Sequence, residues 1–117
     1  MIIYKEFIFE SAHYLPNLPS GHKCGRLHGH SYRVQIYVEG DSNNSNGWVI
    51  DYKDIHDAFL PLYEQLDHCL LNDIVGLENP TAENIAKWIW SNLIDRLPIL
   101  SKVVINETST SGAIYCG

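Results

Sequence analysis

Apolar and polar side chains alternate in SYRVQIYVE, residues 31–39. A period of two is typical of a β-strand with one buried face. The apolar face carries Tyr32, Val34, Ile36 and Val38, and the polar face carries Arg33, Gln35, Tyr37 and Glu39. The sequence therefore predicts that this strand forms the centre of a half-buried sheet.

The flanking segments predict further strands and two helices. Strands are expected over residues 2–10, 47–50, 101–107 and 112–116, loops over 16–27 and 40–47, and helices over 52–66 and 81–97. Asp51 is expected to cap the first helix, and Pro61 to kink or break it. Pro98 is expected to end the second helix.

No helix separates the early strands, so an antiparallel sheet is expected. Two consecutive helices would cover one face of it, giving an α+β layer. The chain has no segment left for the other face, so self-association is expected.

The bulk properties exclude several classes of protein. A length of 117 residues predicts one domain, residues 1–117. A net charge of −6, from 14 acidic and 8 basic residues, argues against nucleic-acid binding. No signal peptide is evident, and no apolar run approaches the roughly 20 residues needed to span a membrane. Three cysteines do not make a disulfide framework, so a cytoplasmic protein is expected.

His28, Gly29 and His30 form the most informative tripeptide. In a strand, residues i and i+2 share a face, so both imidazoles can bind one metal ion. His13 would join them if the first two strands pair as a hairpin. Three neutral imidazoles with one open position are typical of catalytic zinc. The alternative is that the pair is ordinary core or surface histidine, as expected for the solvated His22 and His56.

Cys24 lies four residues before His28. A nearby zinc ion favours the thiolate, which could act as a base, a nucleophile or a fourth metal ligand. The alternative is a small apolar side chain in a loop. Lys23 and Arg26 suit an anionic substrate, or could be solvated charges.

Asp67 and His68 are adjacent, and a carboxylate beside an imidazole can fix its tautomer. Adjacent residues need not touch, and the residues alone favour an exposed turn over a catalytic pair. Glu107 is predicted on the apolar face of the strand over 101–107, where a buried carboxylate could accept two N–H groups from a flat heterocycle. The alternative is that the strand ends at Asn106 and Glu107 is exposed.

Several stretches together resemble a known family: FIFESAHYLP, GHKCGRLHGHSY, GWVIDY, LDHCLLND, GLENPTAENIAKWIW and NETSTSGAIY. The chain resembles the 6-pyruvoyl-tetrahydropterin synthase superfamily along essentially its whole length. Within the superfamily, the chain more closely resembles the bacterial branch, the 6-carboxy-5,6,7,8-tetrahydropterin synthases of queuosine biosynthesis. The short gap between Cys24 and His28 is typical of that branch.

The resemblance implies a tunnelling fold. In that fold, each subunit contributes a four-stranded antiparallel sheet with two helices on one face. The subunits join edge to edge into a barrel, usually a homohexamer built as a dimer of trimers, with the active sites at subunit interfaces.

The resemblance also implies roles for individual residues. His13, His28 and His30 would bind Zn²⁺, and Cys24 would accept a proton. Asp67 and His68 would form a proton relay. Glu107 would anchor the pterin, and in the family this residue is sometimes grouped with the relay. Lys23 and Arg26 could meet the triphosphate.

The implied reaction converts 7,8-dihydroneopterin triphosphate to 6-carboxy-5,6,7,8-tetrahydropterin, acetaldehyde and triphosphate. Rival hypotheses are 6-pyruvoyl-tetrahydropterin formation, a side-chain-cleaving aldolase, and a zinc-dependent binding module without turnover.

Overall fold

Two long strands form the centre of the protein. The structure, a computed structural model, describes residues 1–117. Strands β1 (Ile2–His13) and β2 (His28–Glu39) pair antiparallel along their full lengths, with Phe9 opposite Tyr32 and His13 opposite His28. The predicted hairpin is therefore confirmed. Strand β1 extends three residues beyond the predicted end, because the pairing with β2 continues through residues that break the apolar alternation.

The sheet has five strands, in the order β3-β1-β2-β4-β5. The outer strands are β3 (Cys69–Leu70), β4 (Leu100–Asn106) and β5 (Gly112–Tyr115). The pairs β1–β2, β2–β4 and β4–β5 are antiparallel, as expected. The expectation of a four-stranded, purely antiparallel sheet was wrong, because β3 runs parallel to β1 and makes the sheet mixed.

Helix α1 (Tyr52–Leu66) begins directly after its predicted cap, Asp51, and helix α2 (Ala82–Leu93) begins one residue after its predicted start, with Thr81 as the cap. The side chains of Asp51 and Thr81 accept hydrogen bonds from backbone N–H groups of the first turns. Pro61 does not break α1. Helix α2 ends four residues before Leu97. Residues 94–96 continue as turns, and the N–H groups of Arg96 and Leu97 both bond to the carbonyl of Leu93. Neither helix is both long and apolar enough to cross a membrane.

Both helices pack on the same face of the sheet and enclose the core with it, as predicted. The sheet contributes the apolar face of β2 with Phe9, Val103 and Ile105, and the helices contribute Ile55, Phe59, Leu62, Leu66, Ile85, Ala86, Ile89 and Leu93. The opposite face of the sheet has no cover from this chain. Four large apolar side chains on it are half or more exposed: Ile2, Tyr4, Ile8 and Ile114.

The strand predicted over 47–50 is absent, and with it the hairpin after the Gly40–Gly47 loop. Residues 48–50 form bends, and the side chain of Asn44 donates to the carbonyl of Trp48 at 2.7 Å. Both edges of β2 are already paired, with β1 and with β4, so no edge remains for a hairpin partner. Val49 and Ile50 instead pack against the core as a partly buried loop.

Candidate metal centre and active site

Three histidines meet at the end of the β1–β2 hairpin. The register places His13 directly opposite His28. The period of two places His28 and His30 on the buried face of β2 with Tyr32. Gly29 permits the close approach of β1, because a Cβ at this position would lie 3.2 Å from the carbonyl oxygen of Ser11.

The Nε2 atoms of these histidines face one another. Nε2 of His13 lies 2.9 Å from Nε2 of His28, and Oε1 of Glu107 lies 3.1 Å from Nε2 of His13 and 3.3 Å from Nε2 of His30. The four ligand atoms all lie within 4.8 Å of one another. A tetrahedral ion with metal–nitrogen bonds of about 2.0–2.1 Å separates its ligands by roughly 3.3 Å, so these side chains could hold one metal ion.

Hydrogen bonds at Nδ1 leave two of the Nε2 atoms free as ligands. Nδ1 of His13 donates to the carbonyl of Pro80 at 2.8 Å, and Nδ1 of His28 donates to the carbonyl of Arg26 at 2.6 Å. With Nδ1 protonated, each Nε2 presents a lone pair toward the other, an arrangement that a cation between them stabilises.

Nε2 of His30 is a buried polar atom that lacks a hydrogen-bond partner. It makes no hydrogen bond even to Oε1 of Glu107, which is 3.3 Å away. A buried polar atom without a partner is costly. A metal ion would satisfy it together with the two other imidazoles, so the donor set fits a metal ion.

Burial favours the neutral form of two of the imidazoles. Desolvation lowers the pKa of His13 and of His30 from the usual 6.5, against the opposing effect of the Glu107 carboxylate. Metal binding requires neutral imidazole, so the lowered pKa values favour metal binding by both side chains. Burial and the same carboxylate raise the pKa of Tyr32, whose hydroxyl lies 3.1 Å from Nδ1 of His13.

The position of Glu107 combines features of both predicted alternatives. Strand β4 ends at Asn106, as in the second alternative, yet only 27% of the Glu107 side chain is exposed. Its carboxylate points into the cluster of histidines. The sequence predicted three imidazoles with an open fourth position; in the structure a carboxylate oxygen joins the three nitrogens.

Cys24 shares a cavity with the metal cluster. The cavity measures about 430 Å³ and is lined by Leu15, Lys23, Cys24, His28, His30, Glu107 and Thr108. A short 3₁₀ turn, Lys23–Gly25, carries the cysteine. Its N–H donates to Nδ1 of His22 at 3.1 Å, and its carbonyl accepts from the N–H of Leu15 at 2.9 Å. These two contacts fix the backbone that carries the thiol.

The two predicted phosphate-binding cations are separated. Lys23 lines the cavity with Cys24. Arg26 does not, and borders a different depression with Tyr14 and His22. The contribution of Arg26 to the site is its carbonyl group, which orients His28.

Asp67 and His68 are in contact with each other but do not line this cavity. Oδ2 of Asp67 lies 2.8 Å from Nδ1 of His68, and its Oδ1 accepts from the N–H of Glu10 at 2.9 Å. That backbone hydrogen bond, followed by the contact with His68, lowers the pKa of Asp67. His68 is 78% exposed and has a φ of 56°, the only positive value outside glycine. The pair is thus well defined, with an exposed imidazole.

Sequence reasoning missed residues that contact the metal ligands or hold the backbone of Cys24. They are Pro80 and Arg26, acting through carbonyl groups, Tyr32, and His22, which was expected to be merely solvated. Backbone groups carry no sequence signal, so only the hydroxyl of Tyr32, on the buried face of a strand, could have indicated such a role. His56 is partly exposed and lies 3.2 Å from a carboxylate oxygen of Asp57.

Comparison with known proteins gives the family. A model of the 6-pyruvoyl tetrahydropterin synthase family matches residues 2–117. The chain belongs to this family. The predicted resemblance to 6-carboxy-5,6,7,8-tetrahydropterin synthases is confirmed, since a protein of that name from Synechocystis sp. is 46% identical over 97% of this chain and 92% of its own length. The protein is accordingly an enzyme, a lyase of this family, as predicted.

Two further relatives define the range of the 6-pyruvoyl tetrahydropterin synthase family. The human 6-pyruvoyl tetrahydrobiopterin synthase is 31% identical over 98% of this chain and 82% of its own length. The structure of the 6-pyruvoyl tetrahydropterin synthase from Caenorhabditis elegans superposes with a TM-score of 0.90, covering 100% of this chain and 95% of that one at 24% identity. At that identity the likeness demonstrates a shared fold.

Proposed function

We propose that the protein is a zinc-dependent 6-carboxy-5,6,7,8-tetrahydropterin synthase. With water, it would convert 7,8-dihydroneopterin triphosphate to 6-carboxy-5,6,7,8-tetrahydropterin, acetaldehyde and triphosphate. The observation that carries the proposal is the cavity where Cys24 meets His28, His30 and Glu107, in a chain 46% identical to a protein of that name. The chain would act as a single domain, in the cytoplasm, in queuosine biosynthesis.

Zinc is the metal proposed for the cluster. His13, His28 and His30 would hold it, because catalytic zinc sites typically combine three protein ligands with a position for substrate or water. When bound, zinc supplies a Lewis acid for the oxygens of the substrate side chain. Pro80 and Arg26 keep two of the ligating rings oriented through their carbonyl groups.

Cys24 is the proposed base. Its thiol lines the cavity, its backbone is held on both sides, and its side chain makes no hydrogen bond that would have to break first. As thiolate, it would take a proton from the substrate side chain, and carbon–carbon cleavage would follow as a retro-aldol step, with the pterin ring accepting charge. Lys23, the only cation lining the cavity, would meet the triphosphate.

Glu107 is the proposed pterin anchor. Its contacts with the histidines run through Oε1, which leaves Oε2 free to accept a hydrogen bond. Accepting two parallel N–H groups from the pyrimidine edge would require the carboxylate to turn away from the imidazoles. Such a pair of charge-assisted bonds would hold the substrate side chain over the metal.

Asp67 and His68 would act as a proton relay in the cavity of a neighbouring subunit. They do not line the cavity of their own chain, and the imidazole is exposed. The two outer edges of the sheet support assembly: β1 is covered by β3 only at Ser11 and Ala12, and β5 has no outer partner. Edge-to-edge pairing into a homohexamer would pair both edges and cover the exposed face.

The main alternative is formation of 6-pyruvoyl-tetrahydropterin on the same scaffold. The human relative with the 6-pyruvoyl name, 31% identical, favours it. The higher identity to the Synechocystis relative and the short gap between Cys24 and His28 favour the carboxy product. A zinc-binding module without turnover is the second alternative, and a cavity that joins a free thiol to the metal cluster argues against it.

The test is incubation of metal-assayed protein with 7,8-dihydroneopterin triphosphate. Acetaldehyde and 6-carboxy-tetrahydropterin in equal amounts, both lost on chelation and restored by zinc, are expected. Triphosphate release without acetaldehyde would indicate pyruvoyl formation instead. Bound zinc with no consumption of substrate would leave only the binding module.

A further inference from the structure

The segment that follows α1 runs beside the last residues of β1. Strand β3 pairs Cys69 with Ser11 and Leu70 with Ala12. Side chains extend this short ladder at both ends, at Glu10 together with a backbone hydrogen bond from the N–H of His68 to the Glu10 carbonyl. Asp67 accepts from the N–H of Glu10, and Asn72 pairs with Tyr14. The last residues of β1, which include His13, are therefore held along the edge that faces away from β2.

Asn72 makes the contacts that end this ladder. Its Oδ1 accepts from the N–H of Tyr14 at 3.0 Å, and its Nδ2 donates to the carbonyl of Tyr14 at 2.8 Å. The same Nδ2 lies 3.3 Å from the carbonyl of Glu78. One amide side chain thus satisfies both backbone groups of the residue directly after His13 and binds the segment that leads to Pro80.

The connection from Asn72 to Pro80 also reaches the imidazole of His13. Leu71 and Leu77 are fully buried and fix this connection to the core. At its end, the carbonyl of Pro80 accepts from Nδ1 of His13. The connection therefore holds the backbone beside His13 at one point and the ring at another.

We propose that Asn72 is a positioning residue of the metal centre. By fixing the backbone of Tyr14 and its distance from the Pro80 segment, it sets the direction in which Nε2 of His13 points. Asn72 acts through Tyr14 and Glu78 and touches neither metal nor substrate. The inference rests on the proposed metal site, but not on which pterin product is formed.

The matched control is Asn44, at the opposite end of the β1–β2 pair. It also combines both kinds of contact: its Oδ1 accepts from the N–H groups of Asn46 and Gly47 at 3.0 Å, and its Nδ2 donates to the carbonyl of Trp48 at 2.7 Å. It holds a loop rather than a metal ligand. Asn44→Ala thus removes comparable hydrogen bonds without altering the neighbourhood of His13.

The experiment measures the zinc dissociation constant of the assembled protein by competition with a chromophoric chelator. Asn72→Ala is expected to weaken zinc binding about tenfold, near the lower end of the effects seen when a group that orients a ligand is removed. Asn44→Ala is expected to match the wild type. The Co²⁺-loaded Asn72→Ala protein should show an altered visible absorption spectrum, which a purely structural role would not change.

If the alanine variant does not fold, Asn72→Asp tests whether Asn72 positions His13. The aspartate keeps an oxygen that can accept from the N–H of Tyr14 but loses the Nδ2 donor. Its added negative charge would by itself strengthen zinc binding. Weaker zinc binding in this variant therefore supports a positioning role. Unchanged zinc affinity and Co²⁺ spectrum in a folded Asn72 variant, or equal weakening in Asn44→Ala, would overturn it. A wild type that binds no zinc would overturn the metal centre too, whereas zinc binding without acetaldehyde would overturn only the reaction.

Discussion

Replacement of Cys24 by alanine separates catalysis from metal binding. The thiol lines the cavity but does not belong to the group of four side chains that could hold the metal. Its backbone contacts to His22 and Leu15 do not depend on the side chain. The variant is therefore expected to fold, with a free energy of unfolding within about 0.5 kcal/mol of the wild type, and to keep its zinc.

The expected loss is in turnover. A positioned general base contributes typically about 10²–10⁴-fold, which corresponds to roughly 2.7–5.5 kcal/mol in the activation free energy. Acetaldehyde release should fall by that factor at saturating substrate, with zinc still at the wild-type amount per chain. Cys116→Ala is the control, because that thiol is exposed and lies outside the cavity. Turnover of Cys24→Ala at the native rate would refute the base assignment, and loss of zinc would make the cysteine a ligand.

Three further predictions concern the metal cluster. His28→Ala should lose zinc and acetaldehyde formation together, since it removes one of three imidazoles; retention of zinc by metal analysis would contradict the ligand assignment. Glu107→Ala should raise KM for the pterin substrate about tenfold or more, the worth of charge-assisted hydrogen bonds, and an unchanged KM would contradict the anchor role. In the metal-free protein, His13 and His30 have pKa values lowered from 6.5 by burial. The unfolded chain therefore takes up protons first, and the free energy of unfolding should decrease as pH falls from about 7.5 to 5.5. A denaturant series that gave a flat profile would contradict this.

Features that repeat along the chain were predictable from it. The alternation over residues 31–39 and the apolar stripe of α1 gave the buried faces correctly, because strand and helix periods are properties of neighbouring residues. The cap predicted at Asp51 gave the start of α1, because capping depends on a side chain next to the first turn. The pair of histidines around Gly29 predicted a shared face, which the structure confirms.

Competition between segments for the edges of the sheet was not predictable. Residues 47–50 have the composition of a strand, but both edges of β2 are occupied. Cys69 and Leu70, by contrast, form a strand only because the chain returns beside β1 after α1. A two-residue ladder has no pattern of its own, so its existence depends on the neighbour it meets.

By itself, the sequence determined the strand and helix faces, the candidate ligands and the family resemblance, since all of these are carried by side-chain identity and local spacing. Only the tertiary structure decided which groups meet. The register brought His13 opposite His28, the end of β4 brought Glu107 to the imidazoles, and the connection after α1 brought the carbonyl of Pro80 to Nδ1 of His13. These contacts join residues up to about a hundred positions apart, and their geometry follows from packing and backbone hydrogen bonds rather than from any local pattern.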